Sequence, residues 1–231
     1  MRATNEIPAS LDNAVWHALT GPQSGFAERH GNAVRYASDV GVFAAIPDAP
    51  GVDDWDALRT LVGPGNVAFL FRVAAVAVPA AWSVAGAMPS LQMVAPTTFP
   101  PVPSARVEPI RDDHELDALI AATRPGPWLP RTRALGPFFG VYEQDVLVAA
   151  AGTRLSTDDA TEISAVATAE SARGRGLASA LVVALATQIR GQGRLPFLHL
   201  LADNVGALRC YERLGFAHRP PFDGIAVVAP T

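Results

Sequence analysis

Apolar residues change period several times along the chain, and each change predicts an element. Leu11, Val15 and Leu19 recur at a helical interval within residues 10–20, with Ser10 as the expected N-cap and Gly21-Pro22 as the stop. Residues 34–45, with Tyr36 and Phe43, read as extended, and residues 53–62 as a short helix ahead of the turn Gly63-Pro64-Gly65-Asn66. A second extended run covers residues 67–78. After a proline-rich stretch at residues 97–103, a stiff linker by composition, the pattern restarts. It predicts a strand over 106–111, a helix over 112–123 with Leu116, Leu119 and Ile120 inward, and a Pro- and Arg-rich loop over 124–136. A hairpin of 137–142 and 146–155 should turn at Glu143-Gln144-Asp145. The last third is the sharpest. A β-branched run (Ile163, Val166, Thr168) leads through Ala172-Arg173-Gly174-Arg175-Gly176-Leu177-Ala178 into a helical run (Leu177, Leu181, Ala184, Leu185, Gln188). That run stops at Gly191-Gln192-Gly193 before an apolar strand over 195–201.

Strand, glycine loop and helix start together are how a chain builds an anion site. The first turn of a helix leaves about four N–H groups unpartnered and carries roughly half a positive charge, and glycines admit a phosphate to the backbone. Arg173 and Arg175 add charge there. A plain tight turn is the competing reading of the loop taken alone.

Composition narrows the function classes. The 231 residues are 49% apolar, ample for one large or two small domains, and the formal charge of −4 argues against a general nucleic-acid binder. All 18 basic residues are Arg, and 13 of them lie from Arg106 onward. Without lysine, a Walker-type phosphate lysine and a Schiff-base lysine are excluded. The single Cys210 excludes an intrachain disulfide and suits a reducing compartment, so a cytoplasmic location is expected. Arg2, Asn5, Glu6 and Pro8 precede no apolar run, so no signal peptide is expected. Residues 73–105 are uncharged, but Pro79, Pro89 and Pro96 interrupt them and no membrane span is expected.

Two motifs carry a resemblance. Arg173-x-x-Gly176-x-Ala178 is followed by Asn204-x-x-Ala207-x-x-x-Tyr211-x-x-x-Gly215-Phe216. In this order they are similar to the GCN5-related N-acetyltransferases (GNAT), in particular the FR47-like branch, over roughly residues 104–231. The resemblance implies an α/β (α+β) fold, a mixed and mostly antiparallel sheet flanked by helices. It divides the chain into a catalytic domain over 104–231 and an N-terminal α/β domain over 1–100. The helix–strand–helix–strand order of the latter is compatible with a degenerate second copy lacking the CoA loop.

It also implies acetyl-CoA as co-substrate, no metal, and direct transfer of the acetyl group to a primary amine, since no credible nucleophile is present. The alternative is a non-catalytic acyl-CoA-binding regulatory module. The expected partner is a small-molecule or peptide amine, neither nucleic acid nor membrane, and a homodimer is compatible with the reading. By resemblance the amides of Arg173, Gly174, Arg175, Gly176, Leu177, Ala178 and Ser179 hold the pyrophosphate. The strand at Val166, Ala167 and Thr168 bonds the pantetheine arm, and Asn204 and Ala207 line the other wall.

An alkyl amine of pKa ~10.4 is neutral only about one part in 10³ at pH 7, a handicap of ~4–5 kcal/mol, so a general base helps. Glu162 is the candidate, sharing a strand face with Ser164, Val166 and Thr168 by parity; otherwise it is a solvated strand end. Tyr211, two helical turns after Asn204, is the candidate acid by resemblance, and otherwise packs beneath the sheet with Leu208 and Leu214. Cys210 points about 100° away from it. His17, His30 and His199 read as surface or packing residues. The loop with Arg124, Trp128, Arg131 and Arg133 either recognises an acidic or aromatic acceptor or is solvated around one packed indole, and Arg154 has the same two readings.

Overall fold

The structure, a computed structural model, describes residues 7–73, 76–220 and 222–231. Residues 1–6, on which the expectation about a signal peptide rests, and residues 74 and 75 of the second extended run lie outside them.

The chain opens with a 3-10 turn, Ala9–Asn13, and helix α1, Ala14–Thr20. Ser10 is therefore not the N-cap expected of it. Its hydroxyl donates to Asp159 at 2.6 Å, a tertiary contact that the local sequence does not contain. Strands β1 (Ala27–His30), β2 (Ala33–Tyr36) and β3 (Phe43–Ala45), helix α2 (Val52–Val62) and strands β4 (Val67–Arg72) and β5 (Ser83–Val94) follow. β5 occupies the uncharged run in which no strand was expected. Its Ser83–Met88 half is exposed and rich in small residues, with Gly86 inside it, so no alternation marks it. The half from Ser90 to Val94 is largely buried, and Met93 is fully enclosed.

Short β6 (Glu108–Pro109) and helix α3 (Asp113–Thr123) come next. The side chain of Asp112 caps α3 by accepting from the His114 amide at 2.8 Å. Hairpin β7 (Phe138–Glu143) and β8 (Val146–Ser156) turns through Gln144 and Asp145, both left-handed, with φ of 49° and 62°. Then come β9 (Ala160–Thr168), helix α4 (Leu177–Gly191), β10 (Leu195–Leu201), helix α5 (Val205–Arg213), β11 (Ala217–His218) and β12 (Phe222–Val228).

The strands form one sheet in the order β1-β2-β3-β4-β12-β5-β10-β9-β8-β7-β6, with β11 also paired to β5. Among the described residues only β3–β4 and β9–β10 are parallel, so the sheet is mixed and mostly antiparallel as expected. The linker expected at residues 97–103 falls between β5 and β6, and the sheet is continuous across it. β5 lies between β10 and β12, and β12 between β4 and β5.

Helices cover both faces. Alternate residues of β8 point to opposite sides: Ala149 and Ala151 lie with Leu181, Leu185 and Ile189 of α4, whereas Ala150 lies with Leu116 and Ile120 of α3. Alanines here let both helices close on β8, the hairpin partner of β9. The 3-10 turn and α1 seat Leu11, Val15 and Leu19 against Tyr36, Phe43, Phe71 and Phe197. α2 is fixed by Trp55, whose ring meets Trp82 edge-on at 5.1 Å. Among the described residues no helix is long and apolar enough to cross a membrane.

Candidate active site

β9 and β10 pair only from Ala160↔Leu195 to Glu162↔Phe197, although β9 runs on to Thr168 and β10 to Leu201. Beyond that point they part. The register of β8 against β9 also shifts here, from Gly152↔Ser164 to Ala150↔Ala167, and Ala165 has φ 51°. This is a β-bulge, and an alanine held left-handed is strained backbone of the kind that gathers at functional sites. The extra residue breaks the parity read from sequence. Ile163 and Val166 both face the α4 cluster, and Ala165 and Ala167 face the α3 cluster, so Val166 does not share the face of Glu162.

A cavity of about 680 Å³ opens where the strands separate. Val166, Ala167, Thr168, Arg173, Ala178, Asn204, Ala207 and Tyr211 line it, all of them site residues expected from sequence. Gly174, Arg175, Gly176, Leu177 and Ser179 form the turn and the first coil of α4 behind that wall. Gly174 and Gly176 adopt φ of 75° and 78°, the region glycine enters without steric cost. The first α-helical bond, Ala180 N–H to Gly176 O, is 3.0 Å, which leaves the amides of Leu177, Ala178 and Ser179 ahead of the ladder. Arg173 ties the loop to the end of β9 through Nε to Thr168 O at 3.3 Å. Arg175 instead turns outward and pairs with Glu143 at 3.0 Å, so the charge expected of it at the loop is shared with a surface carboxylate.

On the facing wall Asn204 caps α5, its Oδ1 accepting from the Ala207 amide at 3.1 Å. Both readings of Tyr211 coincide. The ring packs with Leu214 and lies 5.7 Å from Phe216, while the residue also borders the cavity and its hydroxyl has no protein partner among the described residues. Burial pushes the phenol well above its ordinary range, so it keeps its proton. Cys210, expected to point away, also borders the cavity and shares a 3.4 Å contact with the Ser179 hydroxyl.

Glu162 is placed otherwise than expected. It is fully enclosed and accepts four bonds: Arg154 Nε at 2.9 Å and Nη2 at 2.8 Å, the Leu155 amide at 3.2 Å, and His199 Nδ1 at 2.9 Å. Burial is the largest single influence and pushes this carboxyl up. Arg154 and His199 together outweigh it, leaving Glu162 far below the usual carboxylate range. It is not among the described residues that line the cavity, whereas Arg154 and His199 are. Burial holds His199 below the ordinary imidazole value despite its carboxylate partner. Its Nε2 faces Gln92 Nε2 at 2.9 Å, and the Gln92 Oε1 accepts from Arg219, so His199 is a neutral ring with Nδ1–H on Glu162.

The Arg-rich loop separates by residue. Arg131 pairs with Asp39, and Arg133 with Asp113 and Asp117. Trp128 donates to Asp117 at 2.8 Å, and of these four side chains Arg124 alone is among the described residues that line the cavity. Phe43, Phe69, Phe71 and Met88 also line the cavity, and no motif in the sequence marks them. All four come from the N-terminal half and reach it because the strand order β3-β4-β12-β5-β10 brings their strands to the side of β10. Tyr36 and Phe43 were visible as strand aromatics, but nothing local indicated where they would point.

Comparison with known proteins agrees with this geometry. The family model described as FR47-like protein matches residues 138–221. A GNAT-family protein from Novosphingobium aromaticivorans DSM 12444 is 32% identical with a TM-score of 0.83, over 97% of this chain and 100% of that one. The chain belongs to the GNAT family. The expected FR47-like GNAT assignment holds, as does the α/β fold with helices on both sides of the sheet. A GCN5-related N-acetyltransferase from Kribbella flavida, at 21% identity and a TM-score of 0.66, shares the fold over 97% of each chain. Mycothiol acetyltransferase of Mycolicibacterium gilvum is 32% identical over 123 residues, 50% of this chain and 39% of that protein. This GNAT chain thus spans well under half of that curated relative's length.

Proposed function

We propose that the protein is an N-acetyltransferase that moves the acetyl group of acetyl-CoA directly to a primary amine. One observation carries the reading: the cavity at the gap between β9 and β10 is flanked by the open N-terminus of α4 and bordered by Tyr211, whose hydroxyl has no partner among the described residues. The donor set suits a CoA thioester. Amides of the α4 turn and the Arg173 guanidinium suit a diphosphate, and the β9 edge left without a strand partner suits an extended amide-bearing arm.

Acetyl-CoA brings the activated acyl carbon. The amine lone pair forms the C–N bond, the C–S bond breaks, the sulfur takes the Tyr211 proton, the nitrogen yields its own proton to water, and the phenolate regains a proton from water, which closes the cycle. Glu162 enters this scheme as the anchor of Arg154 and His199 and touches no reactant. With no free carboxylate among the described lining residues, the amine must arrive neutral, and kcat/KM should climb with pH toward the amine's own pKa.

The test is release of CoA thiol with acetyl-CoA across a panel of amines, alongside calorimetric binding of acetyl-CoA. Transfer to at least one amine is expected. Tight binding with no transfer to any of them leaves a CoA-binding module and overturns the catalytic reading.

A further inference from the structure

The acceptor end of the cavity has its own chemistry. Its charged lining residues are all arginines, Arg124, Arg154 and Arg173, with no carboxylate among the described residues on the wall. Arg173 lies at the α4 loop, which leaves Arg124 and Arg154 for whatever occupies the other end. Arg154 is held as a rigid fork. Its Nε and Nη2 are committed to Glu162, its side chain is 14% exposed, and the guanidinium lies 5.3 Å from the centre of the Phe43 ring. Nη1 has no protein acceptor among the described residues and is not fully buried. Arg124 is an exposed left-handed residue, φ 49°, at the end of α3, with no ion-pair partner among the described residues. Phe43, Phe69 and Phe71 supply an apolar wall in the same cavity.

From this we infer that the acceptor is an amine bearing a carboxylate next to an apolar or aromatic body, an apolar α-amino acid being the fitting class. The inference rests on the acetyl-transfer reading and specifies its substrate. The carboxylate accepts from Arg154 Nη1 and is drawn by Arg124. The side chain lies on the phenylalanines, and the α-amine is left toward the parting of β9 and β10. A pre-oriented guanidinium hydrogen bonds a carboxylate at little entropic cost, and an aromatic wall rewards an apolar side chain.

The experiment compares kcat/KM for phenylalanine and leucine with that for phenylalaninamide, phenethylamine and 3-methylbutylamine, at saturating acetyl-CoA. The carboxylated members should lead by about 10–100-fold, the range for hydrogen bonds to a charged group. The amide is the strict control, since its less basic amine is more often neutral and would otherwise react faster. Arg124→Ala should narrow the phenylalanine-to-phenethylamine ratio about tenfold. Binding of N-acetylphenylalanine to the CoA-loaded protein, measured by calorimetry, should exceed that of N-acetylphenethylamine by a similar factor. Equal or faster acetylation of the carboxylate-free amines overturns the inference and leaves acetyl transfer standing. No transfer to any amine, with acetyl-CoA bound, overturns both.

Discussion

Replacing Glu162 by glutamine separates a buried anchor from a general base. Two donors meet each carboxylate oxygen: Arg154 Nη2 and His199 Nδ1 on Oε1, Arg154 Nε and the Leu155 amide on Oε2. Whichever oxygen becomes an NH₂, two donors then face a donor, and the guanidinium of Arg154 loses its counter-charge. Breaking a buried pair from one side costs about 3–5 kcal/mol. For a chain of this size each kcal/mol moves Tm by about 2–4 °C, so a fall of about 6–20 °C is expected in calorimetry at pH 7.5. The pH dependence of kcat/KM should keep its shape while the magnitude drops, because Arg154 and His199 border the cavity. Arg154→Met combined with Glu162→Leu should recover part of the lost stability, since no orphaned charge remains. An unchanged Tm together with loss of the rising limb of the pH profile would refute this reasoning and make Glu162 the proton acceptor.

For Tyr211→Phe the absence of a partner for the hydroxyl among the described residues predicts a Tm within about 2 °C of the parent, with kcat down about 10²–10⁴-fold; stopped-flow thiol release with full turnover would return Tyr211 to packing alone. Gly176→Glu forces a side chain at φ 78° with its Cβ 2.5 Å from Pro103 Cγ, and sets a negative charge at the α4 N-terminus. Acetyl-CoA binding should vanish in calorimetry while circular dichroism stays native-like, and an unchanged affinity would remove the phosphate assignment. Acid should destabilise the protein. Folding lowers the proton affinity of both Glu162 and His199, so each stabilises fully above its unfolded value, ~4.3 and ~6.5, and loses that contribution as pH falls below it. Tm should therefore decline from about pH 6.5 downward, and a rise on acidification would contradict the buried network.

What the sequence discloses about this site is what neighbouring residues encode. The Arg173-to-Ala178 turn and the Asn204-to-Phe216 helix are legible because a helix start and its face are fixed within a dozen residues, and the structure puts both on the cavity. The Gln144-Asp145 turn and the Asp112 cap are legible for the same reason. The enclosure of Glu162 is not legible because its partners lie across a hairpin and across a parallel pairing, and because one inserted residue at Ala165 reverses the alternation on which a face assignment depends. β5 stayed hidden because half of it is exposed small residues, with neither the alternation of a half-buried strand nor the density of a core one. The phenylalanine wall was out of reach, since it exists only through pairings between residues more than a hundred positions apart.

The threading of β12 between β4 and β5 has a consequence for biosynthesis. Those two N-terminal strands leave the ribosome well before residues 222–228, and in the finished sheet they are not bonded to each other. Until the late strand slots in, both present bare edges, one of them the apolar Val67–Arg72 segment, open to pairing with another nascent chain. Premature termination anywhere before that segment is therefore expected to yield a sticky product, and holdase chaperones should engage the chain over that interval.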